Sequence, residues 1–243
     1  MLSKNQIKLI RSLKQKKYRL QHQLFVVEGK KAILEFLNSK LQLNQLFTTT
    51  LEFDVSDVLQ TTITPKELGK ISFLKTPNTA LAVFEITKPQ SIDFSKLIIA
   101  LDDVRDPGNL GTIIRLCDWF GVKDLVCNTD TVDCYNPKVI QATMGSITRV
   151  NVSYLDLEGF LSAQKGIQKF GAFMNGETIY NLKLPNSGIL VLGNEANGIC
   201  KQVEFQITDR ISIPRFGDIQ EAESLNVANA AAILLSEFKR RTL

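Results

Sequence analysis

Arg115 has the most unusual setting of any charged residue in this 243-residue chain. It follows Gly111 by four positions and Gly108 by seven, within the run 102–115 that also holds Asp102, Asp106 and Asn109. On a helix such spacings fall on one side, and a helical side chain leans toward the N-terminus. Arg115 therefore extends over a strip without side chains, toward the positive end of the helix dipole. A cation there is unfavourable unless an anion lies between, and a phosphate would serve both the helix N-terminus and the guanidinium fork. The competing reading is a surface pair between Arg115 and Asp118, and at this level both stand. Leu110, Ile113, Ile114 and Cys117 follow i, i+3, i+4, i+7 and face a core.

Two further segments place polar groups after apolar strands. Leu190 to Leu192 run into Gly193-Asn194-Glu195, with Gly198 closing the loop. Gly193 permits close backbone approach to a ligand or an unusual turn, against a plain strand-to-helix turn. Ile211 to Ile213 run into Pro214, Arg215 and Gly217, and a short loop leads to Ser224, Leu225 and Asn226. Ser224 is the expected N-cap of the last helix. Asn226 and Asn229 then form an i,i+3 pair that capping by Ser224 leaves over for a ligand or backbone partner, while Val227, Ala231, Leu234 and Phe238 make the core stripe. Small residues at 228 and 230–232 admit another helix closely, and Lys239, Arg240 and Arg241 suit the negative helix end.

Other chemistries drop out. His22 is the sole histidine, and Cys117, Cys127, Cys134 and Cys200 form no CxxC pair, so neither a zinc site nor a disulfide scaffold is expected, and no metal. No GxGxxG occurs, which disfavours a dinucleotide-dependent oxidoreductase. No apolar run approaches a membrane span, and the first 20 residues lack a signal-peptide core. The setting expected is a reducing cytoplasm.

The elements that must position these residues alternate. The front reads as helix 4–19, strand 24–27, helix 30–38, strand 45–49, a short helix opened by the capping box Thr64-Pro65-Lys66-Glu67, strand 80–85 and a linker at 87–91. Behind it come strand 97–101, helix 109–120 closed by Gly121, strand 124–127, helix 136–145, strand 149–152, helix 157–165, strands 170–173, 189–192 and 211–213, and helix 225–240. Strands separated by helices predict an α/β fold with a parallel sheet, whose ligands bind beyond the strands' carboxyl ends. The division expected is 1–90 and 91–243. Charge divides similarly. Residues 1–40 carry ten Lys or Arg against Glu28 and Glu35, a net +8, and the remainder is net −4. Ser3 caps a helix over which Lys4, Lys8, Arg11, Lys14, Lys16, Lys17 and Arg19 spread; this is either a solvated face or a phosphate-binding surface.

Residues 109–115, Gly193-Asn194-Glu195 with Gly198, and Ile213-Pro214 through Ser224-Leu225-Asn226-Val227, in this order over about 97–241, resemble the SpoU (TrmH-like) family of RNA 2′-O-ribose methyltransferases of the SPOUT superfamily. The front, with Leu24 to Gly29, is similar to the substrate-binding domain fused ahead of that enzyme. The resemblance implies a SPOUT domain with a deep trefoil knot behind a small α/β RNA-binding domain. It implies S-adenosyl-L-methionine (AdoMet) held around Leu192, Gly193, Gly198, Ile213 and Leu225, and a homodimer. Arg115 matches the catalytic arginine, and Asn109, Glu195, Ser224 and Asn226 the supporting polar residues. Since arginine stays protonated, Arg115 on a substrate phosphate is a better reading than Arg115 as a free base. Ribosomal RNA is the expected substrate, with transfer RNA or a non-catalytic RNA-binding protein on the same fold as alternatives. The chain departs from the family pattern at Arg215, where Met is usual, at Ala228, and in a longer stretch between Gly217 and Ser224.

Overall fold

A computed structural model describes residues 2–217 and 224–240. Residues 218–223, which hold the extra length before Ser224, and Arg241 lie outside them. Contacts divide the chain into two compact units, Met1–Lys88 with Asp133–Thr148, and Pro89–Val132 with Arg149–Leu243. The segment 133–148, placed behind residue 90 by its sequence, thus packs with the front unit.

The front unit opens with α1 (Lys4–Ser12) and α2 (Lys16–His22). Ser3 caps α1 through a capping box with Gln6, as its position predicts. The single helix expected over 4–19 is broken at 13–15. The carbonyls of Leu13 and Lys14 turn onto the Arg19 guanidinium instead of a helix N–H (2.8 and 2.9 Å). Next come β1 (Leu24–Glu28), α3 (Lys30–Leu37), β2 (Leu43–Thr48), β3 (Gln60–Thr62), α4 (Pro65–Ile71) and β4 (Ala80–Glu85). The strands form a sheet ordered β1-β4-β2-β3, antiparallel except for β2 and β3. β3 is too short and polar to have been read. The Thr64–Glu67 capping box forms, and backbone N–H groups of Thr64 and Leu2 hold the Glu67 carboxyl down at about 2.

Because strand side chains alternate, β1 faces two cores. Leu24 and Val26 join Ile10, Leu13, Phe47 and Leu81, whereas Phe25 packs among Phe36, Phe84 and Tyr135.

The second unit starts with β5 (Leu97–Leu101), α5 (Pro107–Trp119) and β6 (Asp124–Cys127). The chain then returns to the front unit as α6 (Pro137–Thr143), whose sequence suggested two further residues; Met144 in the left-handed region ends it. Back in the second unit follow β7 (Asn151–Tyr154), α7 (Leu157–Ala163), β8 (Lys169–Thr178), β9 (Gly188–Leu192), α8 (Lys201–Glu204), β10 (Asp209–Ser212) and α9 (Val227–Arg240). The six strands are all parallel, in the order β10-β8-β9-β5-β6-β7. The α/β reading therefore holds. One face is covered around Ile98, Ala100, Val126, Leu161, Ile189 and Val191. Elsewhere α5 lies against α9, and Phe238 meets Phe170 edge-on at 5.2 Å.

β8 runs well past its expected end at 173. Its pairing with β10 jumps from Gly171 opposite Arg210 to Glu177 opposite Ile211, so 172–176 bulge out of the ladder. Gly176 is required there, because a Cβ would lie 2.5 Å from the Ile211 carbonyl carbon.

Candidate functional site

The carboxyl ends of β8, β9 and β10 open onto a cavity of about 860 Å³. Its walls are the β8 bulge from Ala172 to Asn175, the loop 193–198, the turn after β10 from Ile213 to Arg215, and Ser224, Leu225 and Val227 leading into α9. All five residues singled out for cofactor contact, Leu192, Gly193, Gly198, Ile213 and Leu225, line it. The bulge residues were missed as lining, since the bulge is set by the register jump against β10 and not by a local pattern in β8.

The loop after β9 folds back on itself. Asn194 and Gly198 exchange both backbone hydrogen bonds (3.0 and 2.9 Å), and Asn194 Oδ1 accepts from the N–H groups of Ala196 and Asn197. Asn194 Nδ2 donates to the carbonyl of Asp103 (2.7 Å). The close approach permitted by Gly193 is therefore to the chain itself: a Cβ there would stand 2.2 Å from the Gly198 carbonyl carbon and 2.3 Å from the Ile199 nitrogen. Backbone cannot yield as a flexible side chain can, so Gly193→Ala is expected to displace the loop at a cost of about 1–3 kcal/mol. Thermal unfolding with hydrogen exchange at 194–200 checks this, and an unshifted midpoint with unchanged exchange would count against it.

Buried Asp102, at the end of β5, clasps the neighbouring turns. It accepts from Asn128 Nδ2 (3.0 Å) and from the Cys200 N–H (2.7 Å), tying the ends of the turns after β6 and β9 to β5. Its adjacency to apolar Leu101 was the available signal.

The polar residues meet at two helix N-termini. Asp106 caps α5 by accepting from the Asn109 N–H (2.8 Å). Asn226 caps α9, its Oδ1 accepting from Ala228 and Asn229 and its carbonyl accepting from the Ala230 N–H. The capping role expected of Ser224 thus belongs to Asn226, and the helix begins two residues later than expected. Asn226 Nδ2 donates to Asn109 Oδ1 (2.9 Å), and Asn109 Nδ2 donates to Glu195 Oε1 (2.6 Å). The Glu195 carboxylate is anchored at the start of α5, where the helix dipole favours an anion. Asn109, Glu195 and Asn226 form one chain of side chains, and Ser224 is an exposed wall of the cavity.

Arg115 is exposed on α5 and makes no hydrogen bond or ion pair among the described residues. Its alternative partner, Asp118, instead receives Arg149 through Nε and Nη2 (3.0 and 2.8 Å). The surface-pair reading therefore fails. What remains is a guanidinium with open hydrogen-bonding capacity behind Gly111 and Gly108.

In the front unit, Lys4, Lys8, Arg11, Lys14, Lys16 and Lys17 are exposed. Arg19 is not: it is 2% exposed, pairs with Asp133 through Nε (2.9 Å) and Nη2, and donates to two carbonyls. All its donor edges face protein, so its expected role in RNA contact is withdrawn.

A parallel α/β sheet with a looped cavity at its carboxyl edge and a polar chain beside it defines an α/β protein that binds a small molecule at the strand ends. Residues 96–236, more than half of the chain, match the SpoU rRNA Methylase family, and residues 4–82 match the MRM3-like substrate binding domain. The chain belongs to the SpoU rRNA methylase family. It is similar to the 23S rRNA (guanosine(2553)-2′-O)-methyltransferase RlmP of Bacillus subtilis, at 29% identity over 96% of both chains. Among solved structures it is similar to a TrmH-family protein from Porphyromonas gingivalis (40% identity, 99% of both chains, TM-score 0.91). It is also similar to an AdoMet-bound rRNA methyltransferase from Sinorhizobium meliloti (28% identity, 100% of this chain and 97% of the other, TM-score 0.88).

Proposed function

We propose that the chain transfers a methyl group from AdoMet to a ribose 2′-OH of ribosomal RNA. The observation that carries this is the cavity and its polar neighbours in a family whose Bacillus subtilis member, similar over 96% of both chains, is a 23S rRNA 2′-O-methyltransferase.

The residues present fit the cofactor. The cavity lies within the roughly 300–1,000 Å³ usual for small-molecule sites, with apolar surface from Leu192, Ile213, Leu225 and Val227 and polar backbone in the turned loop 193–198. Leu192, Gly193, Gly198, Ile213 and Leu225 would hold AdoMet, which when bound supplies an electrophilic methyl on a sulfonium. The deep knot implied by the resemblance belongs to this reading, as do a homodimer and a cytoplasmic setting. No disulfide joins the four cysteines, which suits a reducing compartment.

The 2′-OH must lose its proton as it attacks. Arg115 stays protonated, so its part is to grip a substrate phosphate through its fork and hold the hydroxyl in line. The phosphate is then the nearby group able to accept the proton. Asn109 and Asn226 keep the Glu195 carboxylate fixed beside the cavity mouth, and Ser224 positions rather than attacks. Lys4, Lys8, Arg11, Lys14, Lys16 and Lys17 supply phosphate contacts, supported by their exposure. The test is transfer of tritium from methyl-labelled AdoMet to rRNA, followed by nuclease digestion. Label is expected on the 2′-oxygen of a nucleoside; label on a base, or none, overturns the reading.

A further inference from the structure

Two aromatic rings extend the cavity walls into solvent. Tyr180 lies in the single turn Ile179–Asn181 directly after β8, whose bulge forms one wall. Buried Ile179 anchors that turn. Phe216 lies between Arg215 and Gly217, both of which line the cavity, while its own ring is not part of the lining. The rings stand 6.4 Å apart at 33°, with Phe216 83% and Tyr180 39% exposed. Neither has a hydrogen-bond or ion-pair partner among the described residues.

Exposed aromatic faces are costly in water unless something covers them. Two rings offer far less area than the roughly 1,000 Å² of a stable protein interface, but they match the face of one nucleobase. Each ring also has a cation close in sequence, Lys183 after Tyr180 and Arg215 before Phe216. Aromatic rings interleaved with basic residues along a groove are how single-stranded nucleic acid is held, because every base has a stackable face.

We propose that Phe216, with Tyr180 beside it, is the platform on which a base of the substrate RNA stacks while its ribose lies at the cavity mouth. The proposal rests on the rRNA methyltransferase reading above and adds the surface that grips the nucleotide. It engages the base face, so it contributes affinity without choosing among bases.

The test uses the full chain, in vitro transcribed 23S rRNA as methyl acceptor, and labelled AdoMet. Phe216→Ala is expected to raise KM for RNA by roughly 10- to 100-fold, an effect larger on KM than on kcat. Tyr180→Ala should do the same to a smaller degree, and Phe216→Trp should restore KM by offering a larger face. AdoMet affinity by calorimetry and the elution volume on size exclusion should match the parent. An unchanged KM in Phe216→Ala overturns the platform. Weakened AdoMet binding overturns it by making Phe216 a cofactor wall, and an altered oligomeric state does so by making it a subunit contact. If the parent chain labels no ribose in rRNA, the functional reading itself fails, and this is seen before any variant is measured.

Discussion

Arg115→Ala is expected to lower methyl transfer by about 10³-fold while AdoMet affinity stays at the parent value. The magnitude follows from removing the cation that grips the substrate phosphate, where one lost charge-stabilising donor alone typically costs about 10²–10³, with phosphate-assisted proton removal lost as well. The separation of effects follows from geometry. Arg115 is not part of the cavity lining, and among the described residues none holds its guanidinium. Arg115→Lys is expected to recover little, because an ammonium keeps the charge but loses the two-pronged phosphate grip. Single-turnover transfer with calorimetry checks both. Full activity in the alanine variant would remove Arg115 from the mechanism, and loss of AdoMet affinity would move its role to the cofactor.

Arg19→Met is expected to destabilise the front unit by about 3–5 kcal/mol, the usual cost of removing one partner from a buried ion pair. Asp133, 13% exposed, would lose its main counter-ion, and the carbonyls of Leu13 and Lys14 would lose their donor. The double variant Arg19→Met, Asp133→Leu should recover part of the loss, since no charge is then stranded. Thermal and urea unfolding measure this. If Arg19 served RNA instead, the single variant would reduce the salt dependence of RNA binding and leave the midpoint in place.

These two arginines show what the sequence made legible. Both were read as cations awaiting a phosphate. For Arg115 the grounds of that reading are local, because the glycines that bare its helix lie four and seven positions away. For Arg19 the partner lies 114 residues downstream, and no helical spacing reports such a contact. The same split runs through the fold. β5 and β6 were found to the residue because buried strands are continuous apolar runs, and α4 because its capping box is local. The outer half of β8 is polar, and its bulge answers to β10 rather than to its own residues. At the site, Gly193, Glu195 and Asn226 stood out as odd residues in their elements. Their connection through Asn109 and the clasp by Asp102 depend on distant loops.

The return of 133–148 to the front unit has a consequence for inheritance. A recombination joining the first 88 residues to another catalytic body would carry buried Arg19 and Phe25 but leave behind their partners Asp133 and Tyr135. The recipient would gain a folding defect along with any new RNA preference. The front unit is thus not a cassette exchangeable at one crossover point. Its lineage is tied to that of the enzyme whose mid-chain loop completes it, and truncation at residue 88 would strip that loop of its cover.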